Sequence, residues 1–84
     1  MLRWKKVDRS KSCPMPAMCY HGYRRGEINP AAVVEKPIWA ENRNLPLWTV
    51  EIIGRGRIVS GGYDCFPLRE AKSIANREVT PLTE

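Results

Sequence analysis

The sequence predicts an α+β domain, a small antiparallel β-sheet of three to four strands with one C-terminal α-helix packed on one face. Three observations carry this. Two short runs, residues 2–7 and 47–53, alternate with the two-residue period of a strand; Gly54-Arg55-Gly56 marks a hairpin; and from Leu68 the apolar period lengthens to that of a helix.

The elements follow in order. In residues 2–7, Leu2, Trp4 and Lys6 point one way and Arg3, Lys5 and Val7 the other. This fits an edge strand whose lysines discourage pairing with another chain. Burial of Trp4 would leave Arg3 and Lys5 outward as a short cationic row. Residues 8–30 hold three prolines and two glycines without a sustained period and read as an irregular loop. A loop that long in a small domain is either functional or poorly ordered. Residues 29–36 admit two readings. Asn29 caps a short helix with Pro30 at its first position and Pro37 as its stop, or residues 32–39 form a strand, favoured by Val33, Val34, Ile38 and Trp39. The strand is preferred, and Pro37 confines it to an edge. The Asn-rich residues 41–44 supply a turn.

In residues 47–53, Trp48, Val50 and Ile52 form one face and Leu47, Thr49, Glu51 and Ile53 the other. The glycines of the following hairpin supply the positive φ that such turns need. Residues 57–63 return as a second strand, in which Gly61-Gly62 predicts a bulge or a close backbone approach. Beyond Pro67, which suits a first helical turn, Leu68, Ala71, Ile74, Ala75 and Val79 share a stripe that excludes Arg69, Lys72, Asn76 and Arg77. The expected core is Trp48, Val50, Ile52, Phe66, Leu68, Ile74 and Ala75.

At 84 residues the chain is one domain: a basic, partly irregular segment over 1–30 and a sheet-and-helix core over 31–79. Apolar residues at 43% and charged residues at 27% are ordinary for a folded domain, which argues against wholesale disorder. The longest uncharged stretch, residues 14–23, is too short and too broken by proline and glycine to span a bilayer. No apolar run follows the basic residues of 1–11, so no secretory signal is read there. An odd count of three cysteines argues against a disulfide framework and for free thiols in the cytoplasm.

Charge is the more informative property. Residues 1–25 carry seven basic side chains against Asp8 alone, a surplus of six, whereas the other 59 residues carry seven basic and eight acidic ones. Such asymmetry points to a polyanion or an acidic protein surface as partner. Arg3, Lys5, Lys6, Arg9 and Lys11 surround Trp4 and Val7, and Tyr20, His21 and Tyr23 precede Arg24 and Arg25. Cations displace counterions from a phosphate backbone and aromatic faces stack on bases. Arg55 and Arg57, projecting from the hairpin, form a second cationic tip. The candidate binding residues are therefore Arg3, Lys5, Lys6, Arg9, Lys11, Tyr23, Arg24, Arg25, Arg55 and Arg57. The bland alternative is a solvated basic arm with Trp4 packed inward.

Catalytic chemistry finds no comparable pattern. Cys13, Cys19, His21 and Cys65 are the one candidate zinc set, but five residues separate the first two cysteines, where structural sites use two to four. His21 is the sole histidine, no carboxylate pair stands out, and the glycines of 54–62 lack the Lys-Ser/Thr of a phosphate loop. No enzyme activity, cofactor or small-molecule substrate is expected.

The run Leu47-Trp48-Thr49-Val50-Glu51-Ile52, then Gly61-Gly62-Tyr63, then Phe66-Pro67-Leu68-Arg69-Glu70-Ala71-Lys72-Ser73-Ile74-Ala75, resembles a strand-hairpin-helix core found in many small phage and mobile-element proteins. The resemblance spans about 33 of the 84 residues. Such proteins include DNA-binding accessory modules and inhibitors of host defence, anti-CRISPR proteins among them. The resemblance implies a non-enzymatic binder and singles out no residue. The expectation is a phage-type inhibitor or accessory factor docking on a host protein or nucleoprotein complex, with no membrane involved. The alternatives are a direct DNA- or RNA-binding module that uses the basic N-terminal segment and, more weakly, a zinc-stapled interaction module.

Overall fold

The computed structural model describes residues 2–8 and 18–79. Among these, five strands form one antiparallel sheet in chain order: β1 (Arg3–Asp8), β2 (Met18–Tyr23), β3 (Ala32–Glu35), β4 (Thr49–Ile52) and β5 (Gly56–Arg57). A short helix, α1 (Ile38–Asn42), interrupts the meander, and α2 (Leu68–Val79) lies across one face against β3 and β4. The predicted class holds, with a sheet wider than expected.

The extra strand is β2, which occupies sequence read as irregular loop. Its register, Trp4 opposite Gly22 and Lys6 opposite Tyr20, turns Met18, Tyr20 and Gly22 towards α2. Gly22 is needed there. A Cβ at that position would lie 2.9 Å from Trp4 Cζ3 and 3.1 Å from Leu2 Cδ1. The glycine that broke the apolar pattern is thus where the Trp4 ring covers the strand.

The expected strand over 32–39 stops at Glu35, and no helix forms at Asn29. Pro37 offers no N–H to a ladder, and the chain turns there into α1, leaving Trp39 43% exposed. The return strand expected over 57–63 shrinks to β5. Beyond it Ser60 and Tyr63 exchange both backbone hydrogen bonds, 2.9 and 3.0 Å, around Gly61 (φ 60°) and Gly62 (φ 83°). The glycine pair is therefore a tight two-residue turn and not a bulge.

The core lies between the sheet and α2. Trp48, Val50, Ile52, Phe66, Ile74 and Ala75 are buried as expected, joined by Leu2, Val34, Ala71 and Val79, with Leu68 half-buried at the margin. Each large side chain buried this way contributes roughly 1.5–3 kcal/mol. The Pro67 carbonyl accepts the first helical bond from Ala71 N–H at 2.8 Å, and proline's missing donor costs nothing at that position. At the far margin Leu2 N–H donates to Asn76 Oδ1 at 2.7 Å, which ties β1 to α2.

Candidate binding face

The pleat of β1 separates its cations. Trp4 turns to the core side, where Lys72 Nζ sits 5.7 Å from its ring centroid and 4.2 Å from that of Tyr20. Arg3 and Lys5 point to the opposite, open face of the sheet and are exposed, as the alternation predicts. There the register sets Arg3 opposite Tyr23 and Lys5 opposite His21. The Arg3 guanidinium carbon lies 5.8 Å from the Tyr23 ring centroid. The His21 and Tyr23 rings are 6.4 Å apart and tilted by 57°. The result is a two-by-two array of exposed cations and half-buried rings.

The connection from β2 to β3 extends this array past the end of the sheet. Glu27 N–H bonds to Arg24 O at 3.1 Å, and Gly26 takes φ 81° to close the turn. Arg25 is exposed, whereas Arg24 Nη1 approaches Glu27 Oε1 at 3.8 Å. Ile28 stands 91% exposed at the tip. Between this loop and β1 is a groove of about 550 Å³ lined by Arg3, Trp4, Lys5, Tyr23, Glu27 and Ile28.

The predicted binding residues sort into groups. Arg3, Lys5, Lys6, Tyr23, Arg24 and Arg25 gather on β1, β2 and the loop that follows. Among the described residues no ion pair engages Arg3, Lys5, Lys6 or Arg25. The hairpin arginines are placed differently. Arg55 reaches Glu78 Oε1 at 3.2 Å and its carbonyl at 3.3 Å, and Arg57 reaches Asp64 Oδ2 at 3.4 Å. Such exposed pairs contribute little to stability, but each offsets a positive charge that a partner would otherwise meet. Arg9 and Lys11 lie outside the described residues. Sequence reasoning set His21 near the cations without counting it among the binding residues, and it missed Ile28. The alternation Met18, Tyr20, Gly22 would have placed His21 on the open face.

The possible zinc ligands do not converge. Cys19 is fully buried on β2, and Cys65 lies beyond β5, 3.4 Å from Asp64 Oδ1; Cys13 lies outside the described residues. Among the described residues no three His, Cys, Asp or Glu side chains come close enough to share a metal. Desolvation, reinforced by the hydrogen bond and charge of Asp64, pushes the Cys65 thiol above its ordinary pKa. A thiol so placed is a poor nucleophile. No described helix is long and apolar enough to cross a membrane. Comparison of the chain with protein-family models, with curated proteins and with solved structures finds no match.

Proposed function

We propose that this chain is a non-enzymatic binding protein, a phage-type inhibitor or accessory factor that docks on a nucleic-acid-handling complex of its host through the cationic β1–β2 edge, with Arg3 and Lys5 on one side of the strand and Lys6 on the other. One observation carries the reading: Arg3, Lys5, Lys6 and Arg25 are held by one sheet edge and its loop, without an acidic partner among the described residues. A rigid strand loses little freedom when a partner binds it, so more of the contact energy is retained. The charge surplus of residues 1–25 supports the same reading. Direct attachment to DNA or RNA is the second reading, favoured by the aromatic rings set opposite the cations.

Capture of host complexes from lysate, with and without nuclease, tests the proposal. The expected result is a near-stoichiometric complex retained by the native chain and lost on combining Lys5→Gln, Lys6→Gln and Arg25→Gln. Retention of the same complex by that triple variant would sink the docking face. Loss after nuclease alone would favour the second reading.

A further inference from the structure

We infer that the open β1–β2 face binds single-stranded nucleic acid, with unstacked bases on Tyr23 and His21 and phosphates on Arg3 and Lys5. The inference rests on the docking face proposed above and names what that face touches.

The ring spacing carries it. Tyr23 and His21 are 6.4 Å apart, close to twice the ~3.4 Å rise per base along one strand of a duplex. A stretched strand with its bases splayed can set one base on each ring. A stacked duplex cannot, because its base faces are hidden from the protein. Each ring has a cation opposite it across the strand pair, Arg3 for Tyr23 and Lys5 for His21. Cross-strand neighbours of this kind stand about 5 Å apart at Cβ, within reach of a base and its own phosphate together.

The surroundings confine the track. On the same side of the sheet β4 carries exposed Glu51, which repels a phosphate backbone drifting across the sheet. At the Tyr23 end the groove of about 550 Å³ falls within the ~300–1,000 Å³ of small-ligand sites, and exposed Ile28 offers an apolar wall. Glu27, the acid in that groove, is 3.8 Å from Arg24, which offsets its charge. Five strands make a surface roughly 19 Å wide, more than the ~12 Å major groove admits, so the face suits a strand laid on it better than a duplex wrapped round it. Stacking tolerates any base, so little sequence preference is expected.

The test is fluorescence anisotropy on the full chain, using labelled oligothymidine of about 12 nucleotides and a mixed-sequence duplex of equal length. At about 50 mM salt the single strand should bind at least about tenfold tighter than the duplex. Tyr23→Ala should weaken single-strand binding by about 5- to 150-fold, while Tyr23→Phe keeps it within about twofold. Lys5→Gln should reduce the slope of log K against log salt by about 0.7. Duplex binding as tight as single-strand binding overturns the inference. So does unchanged affinity in a Tyr23→Ala chain that melts like the native one. If neither oligonucleotide binds but lysate capture still depends on Lys5, Lys6 and Arg25, the inference falls and the docking face stands. If capture ignores those cations as well, both fall.

Discussion

Gly22→Ala tests the contact that attaches β1 to the rest of the sheet. The new methyl would lie 2.9 Å from Trp4 Cζ3, 3.0 Å from Cη2 and 3.1 Å from Leu2 Cδ1. Carbon atoms prefer roughly 3.5–4.0 Å, so the ring must move outward by about half an ångström or more. Overpacking of this kind costs about 1–3 kcal/mol. Trp4 is only half-buried and can yield, which places the cost at the lower end of that range. Against it stands about 0.4–1 kcal/mol from the stiffer unfolded chain. The net expectation is a loss of up to about 0.6 kcal/mol, read as a fall in Tm of up to about 2–5 °C for a domain of this size. Thermal unfolding followed by circular dichroism measures it. In a Trp4→Ala background the ring clash is gone, and Gly22→Ala becomes neutral or stabilising. The coupling between the two sites should therefore be about 1 kcal/mol or more. A raised Tm for Gly22→Ala alone, or an equal effect in both backgrounds, refutes the account of why glycine is placed there.

Two further outcomes follow from the packing and the charges. Lys72→Met keeps the apolar stem but removes the charge held between Tyr20 and Trp4, and should cost about 0.5–2 kcal/mol in urea unfolding; Lys72→Ala should cost more by losing the stem as well. Stability equal to native in Lys72→Met would show that the cation contributes nothing there. Asp64→Asn removes one cause of the raised Cys65 pKa and leaves Arg57 to lower it, so alkylation of Cys65 at mildly alkaline pH should accelerate. The sign carries over to stability. A thiol whose folded pKa is raised stabilises the fold below its ordinary pKa, and that contribution declines as pH rises above it. A slower or unchanged alkylation rate would contradict the assignment of Asp64 as a cause.

Much of the fold was legible because its signals are local. The α2 stripe of Leu68, Ala71, Ile74, Ala75 and Val79 and the alternation of Trp48, Val50 and Ile52 are short-range periods, and each survives in the structure with the same inward face. The turn at Gly54 and Gly56 was legible for the same reason, since φ values of 90° and 96° demand glycine wherever they occur. What escaped was β2. Its inward positions include a glycine and its outward positions a buried cysteine, so the polarity pattern reads as noise. The Trp4 ring that completes the inward surface is 18 residues away in sequence, on another strand. The sequence pattern places Pro37 within an edge strand, yet the ladder ends at Glu35, and the residues after Pro37 satisfy their backbone by turning into α1.

The candidate site divides along the same line. The sequence by itself determined an α+β class, an inward Trp4 with Arg3 and Lys5 facing the other way, and a surplus of positive charge confined to the first 25 residues. Only the tertiary structure decided which cations remain available. Arg55 meets an acid 23 positions further along the chain, Arg57 meets one seven positions on, and Arg3 meets the Tyr23 ring across a strand pair. Periodicity is a property of neighbours in the chain and can be read from their order. The neutralisation of a charge depends on neighbours in space, which long-range strand pairing and helix packing bring together.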